Sequence, residues 1–288
     1  MLLAALSPKY SFSHKAALIA AKRLEEIYGE LEVEFKPRNI DVLKYVEFRR
    51  CLGVVAFRNS SKRADIVPQV VREYWFEKNN GARLFAIGEI KLRIHHNVLV
   101  REHIEHPHQI RQLITHPHAH DQTLNIKRFG IHAPYLEATS TAEAARLIAT
   151  DPAYRNSAAI ASKEAAAGYG LKMLFENVED EPDNVTRFHA LSTEPAAPTG
   201  NDKTALIFQI ANSRHVLHRV RELITVEGKD TPFVRALTSH DDPKSAFYCE
   251  FSGHVDASDG RDIWNALKAR GEIAAFLGSF PKPPPEPE

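Results

Sequence analysis

The feature that most restricts the fold is the apolar run Leu52-Gly53-Val54-Val55-Ala56-Phe57, six residues with no polar side chain. A strand that is polar on neither face must be covered on both, which is the condition of a parallel strand flanked by helices. The flanking sequence agrees. Over residues 13–28, Ala17, Ala20, Ala21, Leu24, Ile27 and Tyr28 keep a 3–4 spacing, with Ser13 available as a cap and Gly29 as a stop. Leu31, Val33 and Phe35 then alternate with acids, the pattern of a half-buried strand, and Val42, Tyr45 and Val46 point to a second helix. Strands alternating with helices argue for an α/β domain.

The same rhythm returns further on. Ser140-Thr141-Ala142-Glu143 is a capping box that opens a helix through about Ile148. Ala158-Ala159-Ile160-Ala161 reads as a short buried strand, and Ser162 starts a helix that ends near Gly168-Tyr169-Gly170. Residues 82–135 between these blocks have extended character from Glu89 to Val100. One unit interrupting another suggests two lobes, I over 1–80 and 136–192 and II over 81–135, with a ligand cleft between them. A linker rich in Pro and small residues covers 193–202. Strand 203–210, helix 214–226, strands 232–238 and 246–252, helix 260–270 and strand 274–280 then give the order βαββαβ, which is ferredoxin-like. The Pro-rich stretch 282–288 is expected to be disordered.

Charge and cysteine usage narrow the function. Lys+Arg and Asp+Glu both number 37, and no long basic run occurs, so a broad electrostatic grip on nucleic acid is not expected. An anionic ligand would be held by a few local groups. Cys51 and Cys249 lie too far apart in sequence for a CxxC motif and form no disulfide framework, which suggests a reduced, cytoplasmic setting. The apolar opening Met1–Leu6 lacks a basic n-region and reads as a first strand, and no apolar run approaches the length of a membrane span.

The sequence has no Gly-rich dinucleotide or phosphate loop, no Gly-x-Ser-x-Gly elbow and no His-Glu-x-x-His. Eight of the 15 histidines lie between His95 and His120. On a strand His116, His118 and His120 would share a face, and imidazoles bind zinc. Pro107 and Pro117 interrupt that geometry, and a solvated or hydrogen-bonded set is the expectation. Residues Thr186-Arg187-Phe188 put a hydroxyl and a ring on one side of an extended segment and a guanidinium on the other.

These pieces occur in a telling order. Ser140-Thr141-Ala142-Glu143-Ala144-Ala145, Ala159-Ile160-Ala161-Ser162, Tyr169-Gly170-Leu171 and Asn177 to Phe188 follow Ile94-His95-His96-Asn97-Val98-Leu99 and Thr115-His116-Pro117. Lys203-Thr204 and Leu277-Gly278-Ser279-Phe280-Pro281 come later. The chain resembles the prephenate dehydratases that carry a C-terminal ACT regulatory domain, over residues 1–281. The resemblance implies a two-lobed, periplasmic-binding-protein-like α/β catalytic domain (1–192) with a central cleft, then an ACT domain (203–281). It also implies a lyase that converts prephenate, or a close analogue, to phenylpyruvate in phenylalanine biosynthesis. No cofactor and no metal are implied, and no nucleic-acid or membrane partner. A homodimer or homotetramer is expected, since ACT modules pair side by side.

By motif match Thr186 is the proton donor, with Asn59 and Gln122 beside it. Arg187, Phe188, Ser11, Phe12, Ser13, Ser60, Thr115, Thr141 and Arg58 are the expected substrate-binding residues. The departures from the family pattern are instructive. Tyr10 replaces a loop glycine, Arg58 replaces an acid, and His118 replaces the glutamine of the SHPQ turn. Arg214-His215-Val216-Leu217 and Leu237-Thr238-Ser239-His240 replace the motifs that bind phenylalanine, so loss of ordinary phenylalanine control is expected. Three further readings stay open: a related enzyme acting on another cyclohexadienyl acid, a ligand-binding pseudoenzyme, and a metal protein built on the histidines.

Overall fold

A computed structural model describes residues 1–60, 74–75, 83–211, 233–236, 244–270 and 272–284. Strand β1 (Leu2–Leu6) leads into helix α1 (Phe12–Tyr28), β2 (Glu32–Lys36), α2 (Asn39–Arg49) and β3 (Leu52–Asn59). The cap of α1 is Ser11 rather than Ser13, its side chain accepting from His14 N at 3.2 Å. Gly29 stops the helix at φ 74° and returns its N–H to Glu25 O. β4 (Phe85–Arg93), β5 (Asn97–Val100), β6 (Gln112–Thr115), α3 (Pro117–Asp121) and β7 (Tyr135–Glu137) follow. Next come α4 (Thr141–Thr150), β8 (Ser157–Ala161), α5 (Lys163–Tyr169), β9 (Lys172–Phe175) and β10 (Val185–Ser192).

These strands make two five-stranded sheets, β2-β1-β3-β10-β4 and β7-β6-β8-β5-β9. β2, β1 and β3 are parallel, and β10 and β4 pair antiparallel at the far side. The apolar run at 52–57 is buried throughout, as its composition demands. The division between lobes differs from the expected one. β4 belongs to the first sheet, and β7, β8 and β9 to the second, so the chain crosses at 94–96 and returns at 176–184. The reason is long-range pairing: β4 ladders with β10, about a hundred residues away, and hydrophobic period carries no trace of that partnership.

Beyond the linker, β11 (Asp202–Ala211), β12 (Phe233–Ala236), β13 (Lys244–Ser252), α6 (Ser258–Arg270) and β14 (Glu272–Pro281) form an antiparallel sheet of order β12-β13-β11-β14. The helix expected over 214–226 and the altered motifs at 214–217 and 237–240 lie outside the described residues. α6 covers one face through Leu206, Phe208, Phe251, Ile263 and Leu267. The other face packs on the first sheet, where Phe57, Leu84 and Leu191 meet Tyr248, Leu277 and Phe280. Each such buried side chain contributes roughly 1.5–3 kcal/mol, so this joint is a continuous core. Of the stretch expected to be disordered, Lys282 is tied down, its N donating to Asn201 O at 2.9 Å, and residues 285–288 lie outside the described residues.

Candidate active site

A cavity of about 350 Å³ lies between the two five-stranded sheets. The first lobe contributes Ser7 and Ser11 of the β1–α1 loop, Phe12 and Ser13 at the start of α1, Asn39 at the start of α2, Ala56 and Asn59 of β3, and Thr186 and Phe188 of β10. The opposite wall is His116, His118, Ala119 and Gln122 around α3, with Thr139, Ser140 and Thr141 at the start of α4. Ile94 and His96 close the back from the crossover.

Alternation along β10 decides what faces the cavity. Thr186 and Phe188 point in, and Asn59, opposite Thr186 in register, donates from Nδ2 to Thr186 Oγ1 at 2.8 Å. The threonine oxygen therefore accepts from the amide while its own O–H remains to donate. Gln122 Oε1 receives His96 Nε2 at 2.9 Å and Asn184 Nδ2 at 2.9 Å, which occupies both lone pairs and leaves the amide N–H groups for the cavity. Burial lowers the His96 pKa and favours the neutral ring, with Nε2–H donating to Gln122 Oε1 and a buried Nδ1 that has no hydrogen-bond partner among the described residues. Burial, then the neighbouring His118, also lowers the His116 pKa. His116 Nδ1 accepts from His118 N at 3.2 Å, and the two rings stack. Ser140 caps α4 by accepting from Glu143 N at 3.0 Å. Glu143 does not complete the box and pairs with Arg146 instead.

Tyr10 does adopt the glycine-like conformation its position requires, φ 65°. Its ring spans the lobes. A Cβ on Gly168 of α5 would lie 2.5 Å from it, Tyr169 meets it edge-on at 5.3 Å, and Ser162 Oγ donates to Tyr10 O at 3.0 Å. Lys15 and Glu164 add an ion pair across the same seam at 2.9 Å.

Four expected substrate contacts stand elsewhere. Thr115 is fully buried, and its hydroxyl donates to Ile160 O at 2.7 Å, tying β6 to β8. Ser60 Oγ accepts Val185 N at 2.8 Å and braces the end of β10. Arg187 and Arg58 pair in register on the face of the sheet turned away from the cavity. There Arg187 Nη2 lies 2.5 Å from Glu89 and 2.6 Å from Glu250 of β13. Strand geometry forbids Arg187 from sharing the cavity with Thr186.

The histidine-rich segment is not a strand of alternating imidazoles, because Pro117 opens the short helix α3. Among the described residues, a potential metal-ligand set occurs at Glu89, His189 and Glu250, where Arg187 and Lys203 already neutralise the carboxylates. Sequence reasoning missed His96 and His116 as cavity residues. Both stood inside quoted motifs, but nothing in their spacing set them apart from the other histidines.

The prephenate dehydratase family model matches residues 3–196. The chain belongs to that family. It is 33% identical over 201 residues to a bifunctional chorismate mutase/prephenate dehydratase of Pseudomonas aeruginosa, a match covering 68% of this chain and 53% of the relative. An Arabidopsis thaliana arogenate dehydratase/prephenate dehydratase is 29% identical over 221 residues, covering 69% of this chain and 52% of that protein. The chain thus spans about half the length of these relatives. The solved prephenate dehydratase of Arthrobacter aurescens in complex with L-Phe superposes with TM-score 0.80 at 23% identity, over 100% of this chain and 92% of that one. That likeness carries the fold: two α/β lobes followed by a third, antiparallel sheet.

Proposed function

We propose that the cavity binds prephenate and that the chain is a lyase converting it to phenylpyruvate in phenylalanine biosynthesis. The observation that carries this reading is the Asn59–Thr186 pair at the cleft. The reaction breaks the bond between the ring and its carboxylate, and that electron pair aromatises the ring while expelling the opposite hydroxyl. Carbon leaves as CO₂ and oxygen as water, once the departing oxygen has received a proton. The protein's task is positioning and donation to that oxygen. Thr186 donates its O–H to the departing oxygen, and the Asn59 amide, which donates to Thr186 Oγ1 at 2.8 Å, supports the threonine oxygen as its proton moves. A hydroxyl is a weak acid in water, so its contribution comes from placement of the buried Thr186 side chain where charge develops. Ser11, Ser13, Gln122 and Thr141 supply neutral donors for the carboxylates, with His116 and His118 beside them, and Phe188 lines the ring's place.

The division into a catalytic domain over 1–192 and an ACT-like domain over 203–281 belongs to the same proposal, supported by the family match ending at 196. So do a homodimer or homotetramer joined through the C-terminal sheets and a cytoplasmic location. No helix among the described residues is long and apolar enough to cross a membrane. Incubating the purified protein with prephenate tests the function: phenylpyruvate formation supports it, and no turnover of prephenate refutes it.

A further inference from the structure

We propose that Glu250, on the C-terminal sheet, is a positioning residue for the reaction: through Arg187 it fixes the segment of β10 that carries Thr186. The inference rests on the dehydratase reading above and adds to it a role for the third sheet in holding the catalytic strand. Thr186 and Arg187 are neighbours on one strand and point to opposite faces, so a force on one is felt by the other. Arg187 Nη2 lies 2.6 and 2.7 Å from the two oxygens of Glu250 and 2.5 Å from Glu89 Oε2. Lys203 Nζ contacts Glu89 at 2.5 Å, and Tyr248 OH donates to Glu250.

Two carboxylates and two cations balance here, all of them largely buried. Among the described residues Arg187 Nε has no partner and the guanidinium's hydrogen bonds all run from Nη2, so its place depends on these carboxylates. The β10–β3 ladder is irregular at this point, with Phe57 of β3 as the extra residue, while the β10–β4 ladder runs unbroken over 185–190. Thr186 faces Asn59, but Phe188 faces Ala56, so the ladder slips between Arg187 and Phe188. A bulge re-aims side chains and gives up ladder regularity, which makes an anchor from outside the ladder consequential. Displacement of a reacting group by about 1 Å can cost on the order of 10² in rate.

The test compares wild type with Glu250→Gln and Glu250→Asp, reading kcat, KM for prephenate, and hydrogen exchange of the peptides covering 185–190 and 157–161. Glu250→Gln should lower kcat roughly 10- to 100-fold with KM within about threefold, and Glu250→Asp should recover part of the loss. Exchange at 185–190 should rise about tenfold or more while 157–161, in the other sheet, stays protected. In an Arg187→Met background, Glu250→Gln should cause no further loss of kcat. An unchanged kcat, a loss confined to KM, or exchange that rises equally in both peptides overturns the inference. If Glu250→Gln fails to fold, Glu250→Asp reads the same split. An inactive wild type defeats the dehydratase reading alone, because the exchange pattern decides the anchoring without turnover.

Discussion

Replacing Arg187 by methionine should destabilise the protein far more than it weakens substrate binding. The substitution keeps most of the apolar stem and deletes the guanidinium. Glu250 then loses its contacts at 2.6 and 2.7 Å, and Lys203, 3.4 Å from Glu250 and 2.5 Å from Glu89, must serve two carboxylates. One buried negative charge is left uncompensated. Breaking a buried pair from one side costs about 3–5 kcal/mol, and unit charges 4 Å apart interact by about 4 kcal/mol at an effective dielectric of 20. With Tm falling by about 2–4 °C per kcal/mol for chains of 150–250 residues, a decrease of roughly 10 °C is expected. Thermal unfolding followed by circular dichroism at pH 7 measures it. A loss below about 1 kcal/mol, or normal stability with a much higher KM, would show that the guanidinium belongs to the cleft and would refute the placement argued above.

Gly168→Ala should disturb the seam between lobes, because the new Cβ would lie 2.5 Å from the Tyr10 ring on its positive-φ backbone. A destabilisation of about 1–3 kcal/mol with altered KM is expected in urea unfolding and steady-state assays, and a neutral outcome in both contradicts the contact. Acid should destabilise the protein in two stages. Burial lowers the pKa of His96 and His189, so below the unfolded value of about 6.5 the unfolded chain takes up protons that the native state refuses. Stability from these groups is complete above that pH and falls beneath it by up to about 1.4 kcal/mol per pH unit for each. Burial alone would raise the Glu250 pKa, but Lys203 and Arg187 outweigh it and hold the carboxyl at about 2. Its contribution is lost as pH falls from about 4.3 towards that value. Tm measured from pH 8 to 2 should be flat, decline below about 6.5 and decline again below about 4, and a rise on acidification to pH 5 would contradict this.

Local signals in the sequence were strong where the governing interactions are local. Ser140, Ser162 and Gly29 mark helix ends because capping joins residues three or four apart. The apolar run at 52–57 announced a doubly covered strand, and period two along 186–188 separated Thr186 and Phe188 from Arg187. Assigning Arg187 to the substrate followed the motif and overrode that alternation. Ser13 lost the cap to Ser11 because both are plausible caps two residues apart, and only the loop path chooses between them. The exchange of β4 and β7–β9 between lobes was illegible, since a ladder such as β4–β10 depends on distant partners. His96 became visible as a cavity residue only once the crossover at 94–96 placed it against Gln122.

If the Thr186 hydroxyl donates to the leaving oxygen, Thr186→Val should abolish that donation while leaving the cavity intact. The substitution keeps the shape of a buried β-branched residue and removes the O–H, together with the acceptor that Asn59 uses at 2.8 Å. Single-turnover and steady-state measurements with prephenate should show kcat lower by about 10²–10⁴-fold and KM changed little. A Thr186→Val protein that forms phenylpyruvate at a near-normal rate would contradict the account.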